Sequence, residues 1–368
     1  MVAEITRGNC FPIFAFDVAQ SIDLDGAARR VASGVERQTV KQKRRAPAYF
    51  EYQPAPLRVL RHAEPVSVGT CLTNPTIELV VYDFGAVSVS YAIPINGPLT
   101  ALPALGYALW GNEVLRADAR RHVESFIALL GDVAVRPRLA DFVEDYAIFQ
   151  IEEIAGGASA ASLWSDHAQI VAQTLRAEPR TLSEQELADA LGLRLSFGPD
   201  DATIIDTDAA LLLDRDGEDL RAVLEFANTQ LVELRHLDQQ LDVALDRSYE
   251  VLTRSGLRLG LFGRYDRNLR WLARLQLDGA ILFQQLSTVV KLVGEQYLAR
   301  VYSLASRRFH IAEWDASITR KLATLDGIYA KTADRAASRR LEVLEWIIVV
   351  LVALELLVSI RTTVTHTP

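Results

Sequence analysis

Residues 346–360 read Trp-Ile-Ile-Val-Val-Leu-Val-Ala-Leu-Glu-Leu-Leu-Val-Ser-Ile. A helix built from them is apolar on every side and has no face to offer water. Lipid or protein must cover it, and that requirement constrains the chain more than any other feature. Alone the run is about 22 Å long as a helix, short of a hydrocarbon layer near 30 Å. Extended over 343–364 it reaches membrane length, with Glu345 and Arg361 at the two interfaces and Trp346 as an interfacial anchor. Lys331, Arg335, Arg339 and Arg340 precede the run, whereas Arg361 and a polar tail follow it. By the positive-inside rule the body then stays on the cytosolic side of a single C-terminal span, as in a tail-anchored protein. Residues 1–10 carry Glu4 and Arg7 and no apolar core, so they do not read as a cleaved signal peptide. Glu355 is the difficulty, since a carboxylate at that depth costs roughly 2.5–3.5 kcal/mol. Two readings of it stay open. It is either a polar contact between spans of an oligomer or a titrating group within the membrane, or it sits at a helix–helix contact of a buried core helix.

The run is preceded by heptads. Leu220, Ala227, Leu234, Leu241 and Ser248 lie seven apart, and Leu224, Leu231, Asp238, Leu245 and Leu252 repeat the spacing four residues on. Such a seam predicts a long helix with one polar break at Asp238. Gly256, Gly260 and Gly263 end it. A second helical stretch is expected over 268–307, and a third begins near Ile311 with Ile318 and Leu325 on one line and Leu322, Tyr329 and Ala336 on the other. These helices pack as an antiparallel bundle within one chain or as a coiled coil between chains.

Before residue 214 the periodicity is mixed. A strand is expected over 11–18, a short helix from Asp23 through Ala27, Val31 and Val35, and a hairpin over 77–82 and 86–91 around Asp83-Phe84-Gly85. A helix over 113–131, a strand over 145–151, a helix over 160–176 and a second hairpin over 203–206 and 209–213 follow. The expected class is α+β: a mixed head at 1–213, a helical stalk or bundle at 214–340, and a transmembrane anchor at 341–364. Half of the 368 residues are hydrophobic, enough to bury a sizeable core, and charged residues at 23% exclude disorder. The two cysteines, Cys10 and Cys71, make no disulfide scaffold, fit a reducing compartment, and read as small buried hydrophobes.

Chemistry is harder to find. Asp83-Phe84-Gly85 lacks the glycine-rich loop and His-Arg-Asp element of a kinase and reads as a turn. No phosphate-binding or dinucleotide-binding glycine motif occurs, so no cofactor is expected. His62, His122, His167, His236, His310 and His366 are scattered without ligand spacing, so no metal is expected. Ser165, Asp166 and His167 in a row are not a triad, and Gly260 to Gly263 with Arg264 and Arg267 reads as a helix linker. The chain therefore reads as a non-enzyme. The net charge of −8 argues against a DNA partner. Locally, Arg37, Lys41, Lys43, Arg44 and Arg45, followed by Tyr49, Phe50 and Tyr52, form the strongest binding candidate. Guanidinium groups beside rings suit RNA, and the positive charge equally suits anionic lipid. A solvated loop is the bland alternative.

The order of these features resembles the required-for-meiotic-nuclear-division family, membrane-tethered proteins built on a domain of unknown function. Leu344-Glu345-Trp346-Ile347-Ile348 with Glu355 nine residues after Trp346 is the most specific match. Tyr82-Asp83-Phe84-Gly85-Ala86-Val87 and the His167-Ala168 to Gln173-Thr174 stretch are similar to shorter family pieces, and residues 176–198 depart from the pattern. The resemblance implies tethering at a membrane, in eukaryotic relatives the mitochondrial inner membrane, and support of organellar translation; the basic run makes RNA or ribosomes the partners to look for. It brings no catalytic residues. The expected function is a membrane-tethered scaffold, as a homo-oligomer. A CorA-like transporter needs two spans and a Gly-Met-Asn loop, whereas the chain has one candidate span and Met1 as its only methionine. An enzyme with a dispersed site is the third possibility.

Overall fold

The computed structural model describes residues 3–33, 42–43, 54–155, 160–254 and 296–365. They form a mixed α/β protein that divides into two compact units, residues 1–238 with 280–316, and residues 239–279 with 317–368. The first unit thus continues past residue 213, where the expected head ends.

Its frame is one large sheet. The long strands are β1 (Glu4–Asp17), β4 (Leu57–His62), β7 (Thr76–Val81), β8 (Ala86–Tyr91), β12 (Val143–Ile154) and β15 (Ala209–Leu213). Short strands are β2 (Ser21–Ile22), β3 (Gln42–Lys43), β5 (Ser67–Val68), β6 (Cys71–Leu72), β9 (Ile93–Pro94), β10 (Gly97–Pro98), β11 (Ala134–Val135), β13 (Arg194–Leu195) and β14 (Ala202–Ile205). The order across the sheet is β13-β14-β15-β12-β1-β8-β7-β4-β3, with β9 and β10 also pairing β1. Neighbours are antiparallel except β12 and β15, which run parallel from Ala147↔Ala209 to Ile151↔Leu213. A parallel pair needs a crossover. It is supplied by α4 (Ala160–Ser165), α5 (Ala168–Leu175) and α6 (Glu184–Ala190). The single helix expected over 160–176 is thus two, interrupted at His167, which precedes the first residue of α5.

The expected hairpin forms, and its turn requires glycine. Gly85 has φ 102°, and a Cβ there would lie 1.9 Å from the Ala19 carbonyl oxygen. Val18 and Ala19 N–H both donate to the Gly85 carbonyl, tying the turn to the end of β1.

Alternation gives the sheet two different faces. One carries Phe14, Phe16, Leu79, Val81, Val87, Val89, Phe149 and Leu211 into a continuous apolar core. It is covered by α1 (Leu24–Ser33), α2 (Leu102–Leu109), α3 (Glu113–Leu130) and α5. In α3, Leu115, Ala119, Val123, Phe126 and Leu130 recur at helical spacing and are all buried, and the Asn112 side chain caps its first turn. The other face meets α7 (Glu218–Arg254) and α8 (Gln296–Arg308). Phe226 of α7 lies 5.9 Å from Tyr82 and 6.5 Å from Phe84, and Tyr302 of α8 lies 6.2 Å from Phe226, ring centre to ring centre.

The heptad prediction finds its helix in α7, and Leu220, Ala227, Leu234, Leu241 and Ser248 are all buried. In the first unit, however, the helix is buried well beyond a seam: Val223, Glu225, Phe226, Asn228, Gln230, Val232 and Glu233 are covered too. Within the second unit, Leu241 and Ala244 of α7 and Ile318 and Leu325 of α9 (Ile311–Thr365) are buried, and Lys321 pairs with Asp242 at 2.6 Å. Among the described residues no helix is long and apolar enough to cross a membrane.

Candidate functional site

The α7-facing side of the sheet is polar where a core would ordinarily be apolar. Arg58 on β4, its side chain 8% exposed, reaches Glu78 on β7 and Glu218 on the first turn of α7, both at 3.3 Å. Ser88 on β8 is fully buried and donates from Oγ to Glu225 Oε1 at 2.6 Å. Arg221, one turn before Glu225, donates to Gln150 on β12 at 2.7 Å and lies 3.9 Å from the Phe11 ring centre. Gln150 in turn donates to the Asp214 carbonyl at 3.0 Å. Two turns after Glu225, Glu233 is buried, and beyond it His236 Nε2 lies 3.0 Å from the Asp17 carboxylate. Glu144 on β12 pairs with Arg235, and its carbonyl accepts from Asn228 at 3.3 Å.

Three of these carboxyls are held against their charge. Burial pushes Glu225 from the ordinary 4.5 up to about 7, opposed by Arg58 and reinforced by Glu78. Burial likewise pushes Glu144 to about 7 against the pull of Arg235. Glu233 is raised well above its ordinary value by burial and then by Asp17, with Arg138 opposing. Arg58 keeps its charge because Glu78, Glu225 and Glu218 outweigh its desolvation. The arrangement fastens α7 to four strands. Since Ser88 and Glu225 are sealed from solvent, their hydrogen bond serves this fastening.

A second fastening lies at Asp206, which is fully buried. Its carboxylate is clamped between Arg176, the cap residue of α5, and Arg308 at the end of α8. Asp189 of α6 binds the same two arginines, and their hydrogen bonds hold its carboxyl below the usual range. The Tyr146 hydroxyl donates to the Asp206 carbonyl at 3.1 Å.

The sequence-predicted residues fall elsewhere. Lys43 is on β3, the last strand of the sheet, where it pairs with Arg58 in register. Arg37, Lys41, Arg44 and Arg45 lie outside the described residues, as do Tyr49, Phe50, Tyr52 and the 256–267 glycine linker. Glu345 and Trp346 lie on α9 and are exposed, Trp346 at 70%, and Glu355 belongs to the same helix. Ile347, Ile348, Val349, Val350, Leu351 and Val352 are each exposed as well, so every side of nearly two turns presents an apolar side chain. Cys10 is fully buried, and burial, then the neighbouring Cys71, pushes its thiol well above the ordinary value; Cys71 is half-buried rather than enclosed. Among the described residues no three His, Cys, Asp or Glu side chains converge on a metal site. Ser165 Oγ donates to Asp166 at 2.9 Å, a local turn bond.

Sequence reasoning missed the α7 layer. Its signal lies in Val223-Leu224 and Phe226-Ala227, which bracket Glu225 so that no side of that turn is left for water.

These features define an α/β domain whose sheet carries helices on both faces, one apolar and one ionic. A family model described as "Uncharacterized protein MJ0711, N-terminal domain" matches residues 7–219, more than half of the chain, and the chain belongs to that family. The match runs from β1 to the first turn of α7. Uncharacterized protein MJ0711 of Methanocaldococcus jannaschii is 23% identical over 222 residues, which cover 60% of this chain and 66% of that protein. The chain thus spans just under two thirds of that relative's length. No solved structure matches the chain.

Proposed function

We propose that the protein is a membrane-tethered scaffold, with the sheet unit as its interaction body and the C-terminal part of α9 as its anchor. One observation carries the reading. From Trp346 to Val352 the helix exposes seven consecutive large apolar side chains, and the sequence continues apolar to Ile360 except at Glu355 and Ser359. Leaving that surface in water costs about 25 cal/mol per Å², so a hydrocarbon environment is favoured by many kcal/mol. Kinship with the required-for-meiotic-nuclear-division family, a helical stalk preceding the span, a cytosolic body, and an RNA or anionic-lipid contact through Lys43 and its basic neighbours belong to the same proposal. Its support is the resemblance around Leu344-Glu345-Trp346 together with the charge asymmetry about the apolar run.

The test is membrane fractionation of the full chain. Association that resists carbonate extraction and is lost on truncation after Arg340 is the expected result. A full-length protein that stays monodisperse in detergent-free buffer refutes the anchor. Nuclease treatment before co-purification then asks whether RNA contributes to any partner recovered.

A further inference from the structure

α7 passes from the sheet unit into the second unit after Asp238. Just before that point Glu233 and His236 stand three residues apart and so share a side of the helix. His236 Nε2 lies 3.0 Å from Asp17 Oδ2, at the end of β1, and Arg138 approaches the same oxygen at 3.6 Å and the imidazole as well. Backbone hydrogen bonds fix this corner. The Asp17 carbonyl accepts from Ala140 N–H at 3.0 Å, and the Val18 carbonyl accepts from Arg138 N–H at 2.8 Å. Glu233 is 2% exposed, and Asp17 and Arg138 are the charges that act on it. Its Oε1 receives no hydrogen bond from the described residues. Arg235 turns to Glu144 and the Phe142 ring instead. From α8 the helix meets Tyr302, whose hydroxyl donates to Gln230 and, pushed up to about 12 by burial, stays uncharged.

The charges of this cluster do not balance by themselves. Asp17 and Glu233 bring two negative charges and Arg138 one positive charge, so beside a neutral imidazole one net negative charge is left over. A buried charge without a partner is what a protein interior tolerates least. One additional proton brings the cluster to zero. Glu233 is the group built to take it, because a carboxylate oxygen that receives no hydrogen bond is costly, whereas the protonated acid is neutral and has a hydrogen to donate. Burial and then Asp17 push this carboxyl in the same direction, well above its ordinary value. We infer that Asp17, Arg138, Glu233 and His236 form a one-proton site that latches α7 to the end of β1, and that loss of the proton loosens this stretch of the helix. The latch lies two turns from the Ser88–Glu225 bond and does not depend on the anchor. It makes the joint at which α7 leaves the sheet unit sensitive to alkaline pH.

Amide hydrogen exchange of the full chain tests this, in mild detergent to cover the apolar run of α9. Rates are divided by those of the unstructured sequence, so that base catalysis drops out. The window runs from about pH 7 to about pH 8.5, where an imidazole ordinarily carries no charge and Glu225 and Glu144, which titrate near 7, contribute little further change. Opening that releases one proton becomes about tenfold more frequent per pH unit, and the amides of residues 229–238 are expected to lose protection at that rate. Glu233→Gln, equal in shape to the protonated acid, balances the charges without a proton and should hold the protection constant across the window. Asp17→Asn balances them in the same way from the other side of the contact and should also flatten the slope, which keeps the test open if one variant folds poorly. Glu225→Gln should leave the slope of 229–238 in place. A wild type whose protection is flat over the window, or a slope that survives both Glu233→Gln and Asp17→Asn, overturns the inference. A slope abolished by Glu225→Gln also overturns it and assigns the proton to the Ser88–Glu225 layer.

Discussion

Replacing Glu225 with glutamine removes one proton-binding group from beneath α7 while keeping an oxygen for Ser88 Oγ to donate to. The carboxyl is 5% exposed and sits 2.6 Å from that hydroxyl, with Arg58, Glu78 and Arg221 as its charged neighbours. It titrates near 7 in the folded protein against an ordinary 4.5. Between those values the folded state holds more protons than the unfolded one, so stability falls as pH rises. The contribution is complete at or below pH 4.5 and lost by about pH 7, and at 1.36 kcal/mol per pKa unit the fall is about 3 kcal/mol. Glu144 adds a similar fall in the same window, because it too titrates near 7. Wild type and Glu225→Gln are therefore compared by urea unfolding at pH 5 and pH 8. The variant should lose about 2–3 kcal/mol less than wild type between the two conditions. It should be the more stable protein at pH 8, where wild type pays to bury a charge. Equal losses, within about 0.5 kcal/mol, would refute the argument that desolvation of this carboxyl governs the window.

Asp206→Ala should destabilise the sheet unit by about 3–5 kcal/mol, because Arg176 and Arg308 would lose their buried counter-charge and keep only the exposed Asp189; chemical denaturation measures it, and a loss below about 1 kcal/mol would mean that Asp189 and solvent already satisfy the arginines. Gly85→Ala forces a Cβ to 1.9 Å from the Ala19 carbonyl oxygen at φ 102°. Its expected outcome is a loss of more than about 3 kcal/mol or failure to fold, read from expression yield and melting temperature, and wild-type stability would contradict the turn geometry. Phe226→Ala empties the meeting point of Tyr82, Phe84 and Tyr302; a cost of about 3–5 kcal/mol is expected, and one under about 1.5 kcal/mol would show that the site collapses.

Local patterns were readable wherever neighbours in sequence are neighbours in space. The hairpin around Gly85, the helix α3 and the β14–β15 pair declare themselves through period and turn chemistry. The first strand is longer than its alternation indicates, because register shifts near Ile5, Arg7 and Gly8 break the period just where Glu4 and Arg7 stand. The crossover that makes β12 and β15 parallel joins segments about sixty residues apart, which no local period can announce. The ionic layer was hidden for the same reason. Ser88 and Glu225 are separated by 137 positions, and Arg58 and Glu218 by 160. A heptad reading sorts each turn into a seam and a wet side; α7 in the sheet unit has no wet side, so glutamates expected in solvent are core residues. The apolar run of residues 346–360, by contrast, is compositional and needs no partner to be seen.

Placing the earliest strand at the middle of the sheet has a consequence for synthesis. β1 lies between β8 and β12, and its longest pairing, from Ile5 to Phe16, is with residues 143–154. A ribosome adding about 5–20 residues per second needs roughly 7–30 s to proceed from one to the other. Through that interval one edge of β1, with Phe11, Ile13, Phe14 and Phe16 along it, is a nascent strand without its mate. Pairing with β8, β9 and β10 closes parts of the other edge earlier, over Ile13 to Asp17, Asn9 to Cys10 and Glu4 to Ile5. The birth of this domain is thus paced by translation, and a pause between codons 91 and 143 would lengthen the time for which a nascent-chain chaperone has something to hold.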